Sequence, residues 1–187
     1  MGENKLNVGD VILVHGGSFL ARGIQFFMNI YRSKKGLPKR KLYNHVAVVI
    51  DLYGQQYIAE AVAKGVQVIP NASNYVASQD CKVLTWVKPL TAKEKAELSR
   101  AAAKYALENH RYDMLNFPYQ IKYIFTGKWR GPTGDKANRR IYCSELAAIL
   151  MDYVRGSFNG VTWDKNPLDI ELSSDLVELK MIQNELV

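Results

Sequence analysis

The sequence predicts an α+β domain, and two observations carry that expectation. Five short apolar runs bounded by turn residues crowd the first half of the chain: VILV, HVAVVID, QYIAEAV, GVQVIP and CKVLTWV. Runs of this length between turn residues read as strands of one sheet. The second half is helical in pattern and ends in CSELAAILMDYV, where only Ser144, Glu145 and Asp152 are polar. A helix that is apolar nearly all round is buried inside its domain. The expected architecture is an antiparallel sheet or small barrel packed against this buried helix, which carries Cys143 at its start.

Taken in order, Gly9-Asp10 leads into the VILV strand, and the aromatic-rich stretch Ser18–Tyr31 follows as a helix. SKKGLPKRK comes next, with Gly36 and Pro38 breaking any regular element. HVAVVID is apolar on both faces, which marks a central strand. QYIAEAV, GVQVIP and CKVLTWV supply the next strands. Thr91 and Glu94 form a capping-box pattern. Behind it, Leu98, Ala102, Tyr105 and Ala106 share one face of a helix ending near Asn109. Asp113–Phe125 reads as a helix interrupted by proline, and KWRGPTGDKANRR as a polar excursion. NPLDIELSSDLVEL has turn character followed by a last strand.

The 187 residues suit a single domain spanning 1–187, and 48% apolar content provides for a real core. The N-terminus MGENKLNVGD contains no apolar segment of the secretory kind. A cytoplasmic location is therefore expected, with a removed signal left open. No run approaches the length of a membrane span. Two cysteines, Cys81 and Cys143, are too few for a disulfide scaffold, although a single bridge between them is open. No cofactor is expected. No metal is expected either, because the three histidines are scattered and there is no paired-cysteine spacing. HGGS after the first strand lacks the lysine of a phosphate loop.

The net charge of +7 is concentrated near the N-terminus, where residues 1–45 hold eight Lys and Arg against two Asp and Glu. Most of that excess is Arg32, Lys34, Lys35, Lys39, Arg40 and Lys41. Two readings are open: a docking patch for an anionic partner, or a solvated loop. No specific nucleic-acid partner is expected.

Chemistry enters at Cys143. A thiol in the first turn of a buried helix meets unpaired amides and the positive end of the helix dipole, both of which favour thiolate. The same amides can stabilise an oxyanion. Position alone also suits a small core residue. His45 opens the central apolar strand, where an imidazole needs a polar partner. Cysteine and histidine together are the components of an activated thiol pair. Glu60 lies among aliphatics in QYIAEAV and needs a partner of its own. A turn over Asp51–Gly54, with Gly54 at positive φ, would set Glu60 directly across from His45. A turn centred on Gly54-Gln55 would set it opposite Val49. The first register is expected, with Glu60 orienting the imidazole. Cys81 reads as a packed small side chain. His15 is a loop residue that would otherwise line a cleft, and His110 complements a helix C-terminus.

The Gly-Asp opening, NHVAVV, YIAEA and IYCSEL, in that order from Gly9 to about Leu179, resemble the permuted branch of the NlpC-type papain-like superfamily, in particular the YiiX/YaeF-like proteins. The resemblance implies a circularly permuted papain-like fold, in which the histidine precedes the cysteine. It implies Cys143 as nucleophile, His45 as base and Glu60 as the third polar residue. Asp10 and Tyr142 would lie near the cleft, and Asp10, Tyr142 and Ser144 are the substrate-binding candidates. The activity implied is hydrolysis of amide bonds, as in cell-wall peptides, on a peptide-like or acyl substrate. Lipid or amine acyl transfer, as in the related lecithin:retinol acyltransferase branch, is the alternative. A non-catalytic binding module on the same scaffold is the third reading.

Overall fold

The computed structural model describes residues 6–17, 19–38, 40–108, 110–112, 117–126, 140–162 and 164–179. Six strands form one open sheet in the order β4-β3-β2-β1-β5-β8, with every neighbour antiparallel. These are β1 (Val11–Val14), β2 (His45–Leu52), β3 (Gln55–Val62), β4 (Gly65–Pro70), β5 (Cys81–Trp86) and β8 (Leu176–Glu178). Two-residue strands β6 (Arg111–Tyr112) and β7 (Arg140–Ile141) pair in parallel beside it. The helices are α1 (Phe19–Lys34), α2 (Ala72–Ser78), α3 (Ala92–Leu107), α4 (Phe117–Thr126), α5 (Cys143–Arg155) and α6 (Pro167–Glu171). The chain is α+β, and its sheet is open rather than closed into a barrel.

The two faces of the sheet have different cover. Val46, Val48, Ile50, Ala59 and Ala61 point to one side, where they pack with Leu98 and Ala102 of α3 and with Leu146, Ala147 and Leu150 of α5. Ile12, Val14, Ala47, Val49 and Ile58 point to the other, against Leu6 and α2. The alternation follows from the period of two along a strand. Both β1 and β2 are buried on both faces because they are central and covered twice. The capping box at Thr91 and Glu94 is present, with Thr91 N–H donating to Glu94 Oε2 at 2.6 Å. The last segment forms the short helix α6, capped by Asn166, before β8. The 7-residue α2 between β4 and β5 is an element without a clear pattern in the sequence.

The β2–β3 hairpin corrects the expected register. Leu52 pairs with Gln55, so Tyr53 and Gly54 alone make the turn, at φ 56° and 78°. Two successive positive φ values give the tight hairpin turn whose twist matches that of the strands. Asp51 Oδ1 accepts from Gly54 N–H at 3.0 Å. Glu60 therefore stands opposite Ala47, not His45.

At the start of β1, Gly9 has φ 96°, and its carbonyl accepts from Trp86 Nε1–H at 2.9 Å. A Cβ there would come within 2.5 Å of the Leu90 side chain, so only glycine fits.

Candidate active site

Helix α5 starts at Cys143 because Tyr142 is extended (φ −100°, ψ 168°) and its phenol supplies no cap to the helix amides. The first amides of α5 are thus left for other acceptors. Cys143, Ser144, Glu145 and Leu146 are all buried, which fixes the helix start against the sheet. The Cys143 sulfur accepts from the Ser144 N–H, at the positive end of the helix dipole.

It also accepts from the Val46 N–H, and the strand pairing explains why that donor is free for it. Val49 N–H donates to Asp10 O at 2.8 Å, so odd-numbered amides of β2 face β1 and even-numbered ones face β3. The ladder with β3 begins only at Ala47 and Glu60. Val46 lies just beyond its last rung, and its amide meets the sulfur instead.

His45 heads the same strand and hydrogen bonds with Cys143. Its Nε2–H donates to Glu60 Oε2 at 2.6 Å, which leaves Nδ1 as the ring nitrogen for the sulfur. Glu60 is held on three sides. Tyr75 Oη–H of α2 donates to Oε2 at 2.7 Å, and Gln67 Nε2–H of β4 donates to Oε1 at 2.7 Å. Gln67 stands directly opposite Glu60 in the β3–β4 ladder. A buried carboxylate needs such partners, and here they also set its direction.

The charges follow from these contacts. Burial works against the imidazolium, but the Cys143 charge and hydrogen bond, then Glu60, outweigh it and hold His45 up at about 10. Burial likewise works against the thiolate, but His45 and the Val46 and Ser144 amides pull Cys143 below the usual thiol range. Glu60 is lowered in the same way, with burial opposed first by His45 and then by Tyr75 and Gln67. The arrangement is a buried thiolate–imidazolium pair backed by a carboxylate. Cys81 is the opposite case: burial pushes its thiol up, and Sγ–H donates to Val76 O at 3.6 Å. Both cysteines are free.

The other candidates separate by position. Tyr142 immediately precedes Cys143 and is buried, and burial raises its phenol well above the usual range. Ser144 contributes its amide, while its Oγ–H donates to Lys165 O at 2.9 Å and ties α5 to the segment before α6. Asp10 is not brought to this group. Val14, not Asp10, pairs with His45. Four residues of strand put Asp10 about 13 Å away along β1. It is fully buried, and its Oδ2 accepts from Asn7 N–H at 2.7 Å. His15 sits beside the site rather than in it: its Nδ1–H donates to Leu42 O at 2.6 Å. Asn44, just before His45, accepts from Gly16 N–H at 2.6 Å and from Gln25 Nε2–H at 3.1 Å. His110 follows α3 and donates to Glu108 at 2.9 Å.

Most of the described cations in the basic segment are matched. Lys35 reaches Asp169 at 3.5 Å, Arg40 reaches Glu171 at 3.6 Å, and Lys41 pairs with Asp80. Arg32 is buried, and Lys39 lies outside the described residues.

Sequence reading missed Gln67 and Tyr75. Gln67 was accessible in principle, as the polar residue in GVQVIP that a β3–β4 hairpin sets across from Glu60. Tyr75 was not, because α2 has no strong pattern.

The crystal structure of the metalloprotein yiiX from Escherichia coli O157:H7 superposes with a TM-score of 0.63 over 93% of this chain and 96% of that one, at 15% identity. The chain has a YiiX-like fold. No family model and no curated protein matches it. The YiiX-like likeness concerns the fold alone. The yiiX protein is a metalloprotein. Among the described residues, no group of three or more His, Cys, Asp or Glu is placed to hold a metal. Both Glu60 oxygens are already engaged by His45, Tyr75 and Gln67, and Cys143 is turned to His45. The residues therefore do not fit a metal at this position. Among the described residues, no helix is long and apolar enough to cross a membrane.

Proposed function

We propose that this protein is a cysteine-nucleophile hydrolase of amide bonds, on a permuted papain-like version of the YiiX-like fold. The observation that supports this most strongly is the Cys143 thiol hydrogen-bonded to His45, whose far nitrogen is held by Glu60 at 2.6 Å. A structural cysteine in a core requires neither of these contacts.

The thiolate of Cys143 attacks the substrate carbonyl carbon, forming a C–S bond and a tetrahedral oxyanion. The first amides of α5 stabilise that oxyanion. The imidazolium of His45 then gives its proton to the departing nitrogen as the C–N bond breaks, leaving a thioester and a free amine. Water, deprotonated by His45, attacks the thioester and releases the carboxylic acid and the thiolate. Glu60 stabilises each imidazolium stage and keeps the ring aimed. Tyr142 flanks the nucleophile as a candidate wall for the substrate.

The test is a panel of N-acyl amino acids and short peptides, followed by release of free amine and by mass spectrometry of the protein. The expected result is amine release with an acyl adduct on Cys143, both absent in Cys143→Ala. Amine release that persists in Cys143→Ala would overturn the reading. So would a reactive Cys143 that never acquires an acyl group from any member of the panel.

A further inference from the structure

Arg32 lies near the end of α1 with 1% exposure, and its Nε, Nη1 and Nη2 have no hydrogen-bond partner among the described residues. A buried guanidinium with all its donors unmatched is costly, because water is removed and nothing replaces it. Its charged neighbours do not solve the problem. Burial first, and then the like charge of Arg40, press the Arg32 guanidinium below its ordinary range, while Glu171 supports it.

Glu171 is itself oversubscribed. Its Oε1 lies 3.6 Å from Arg40 Nη2 and 3.3 Å from Lys82 Nζ, and its side chain is nearly fully buried. Lys82 also reaches the exposed Glu178 at 3.0 Å. Two cations thus share one buried carboxylate, with a second carboxylate at the rim, and Glu171 acts on Arg32 only through its charge, without a direct contact. Arg32 also lines a groove of about 620 Å³, together with Phe26, Ile30, Ser33 and Leu37.

We propose that Arg32 and Arg40 form a binding site for a phosphate group, reached through this groove and separate from Cys143. A carboxylate can dock on one guanidinium fork, and Glu171 already supplies one. A phosphate dianion has enough charge and enough oxygens to satisfy two forks at once and to offset the repulsion between them. The apolar wall of Phe26, Ile30 and Leu37 beside it would suit the body of a phosphate-bearing molecule, whether a lipid headgroup or a soluble phosphoryl compound.

The experiment titrates inorganic phosphate into the full chain at constant ionic strength, with chloride as reference, and follows the melting temperature and binding heat. Wild type is expected to gain stability with phosphate beyond chloride. Arg32→Met and Arg40→Gln are each expected to weaken phosphate binding at least about tenfold, the loss of one charge-assisted contact. Arg40 is half exposed, so Arg40→Gln reports even if Arg32→Met fails to fold. A parallel arm sediments the protein with phosphatidylcholine vesicles, with and without phosphatidic acid. Retention by phosphatidic acid that inorganic phosphate displaces assigns the lipid source. Phosphate binding without retention assigns a soluble one. Equal responses to phosphate and chloride, or variants that bind phosphate as wild type does, would overturn the site.

Discussion

The His45 imidazole and the Glu60 carboxylate meet diagonally across the β2–β3 hairpin, Nε2 to Oε2 at 2.6 Å. Glu60 is level with Ala47, one side-chain row in from His45, so both point to the same face. Diagonal neighbours lie about 7–8 Å apart at the backbone, within reach of a glutamate and an imidazole together. A register shift of one residue would send Glu60 to the other face and end the contact. The two-residue turn at Tyr53-Gly54 is thus the device that sets the carboxylate on the histidine.

The two cysteines are predicted to differ in reactivity. Cys143 is held below the ordinary thiol range by His45, and Cys81 is pushed above it by burial. Iodoacetamide at neutral pH, read by peptide mass spectrometry, should label Cys143 first, although it is only 5% exposed. Equal labelling would remove the activated thiol.

Replacing Glu60 by Gln removes the charge behind His45 and keeps the shape. The imidazolium should then lose its proton about one to two pH units earlier. The sign is fixed by the direction of the shift. His45 is raised, so the stability it contributes is complete below its ordinary value of 6.5 and is lost as pH rises through about 10. In Glu60→Gln that loss should begin at lower pH. Denaturant midpoints measured from pH 6 to about pH 10 check this. An unchanged profile would mean that Glu60 does not support the imidazolium.

Tyr75→Phe takes one of three donors from Glu60 while leaving His45 and Gln67 in place. The expected cost is about 1–2 kcal/mol of stability, the value of one hydrogen bond to a charged acceptor in a buried site. Urea unfolding at pH 7 measures it. A neutral substitution would show that the Tyr75 hydroxyl is not part of the support.

Asp10 separates structure from chemistry. Burial raises its carboxyl, so in the folded state the ionised form is disfavoured. Stability from this group therefore falls as pH rises from 3.8 through the raised value. Asp10→Asn keeps an acceptor for the Asn7 amide without the charge. It should be at least as stable as wild type at neutral pH, with the advantage shrinking as pH approaches 3.8. Labelling of Cys143 should be unaffected. Slower labelling would place Asp10 back in the site.

Much of this arrangement was legible in the sequence, for physical reasons. A histidine and a glutamate inside apolar strands, and a cysteine at the head of an apolar helix, each demand a polar environment, and one shared environment satisfies all three. The hairpin register was not legible, because nothing in the sequence marks Tyr53, a non-glycine residue, for φ 56°. Asp10 was drawn to the cleft by resemblance alone, and the pairing of Val14 with His45 removes it. The basic segment looked unmatched because Asp169 and Glu171, which neutralise Lys35 and Arg40, come about 130 residues later in the chain. Tyr75 reaches Glu60 through a helix too short to announce itself.

The central claim is the charge state of one sulfur, and thiolate ultraviolet absorbance reads it directly. The difference spectrum between the wild type and Cys143→Ser, followed downward from pH 8, isolates that group. The predicted result is thiolate absorbance that persists well below the ordinary thiol value of 9.0 and disappears in a single acid step. The step should move to higher pH in His45→Ala. A thiol that ionises only near pH 9, whether or not His45 is present, would contradict the ion pair and the catalytic reading built on it.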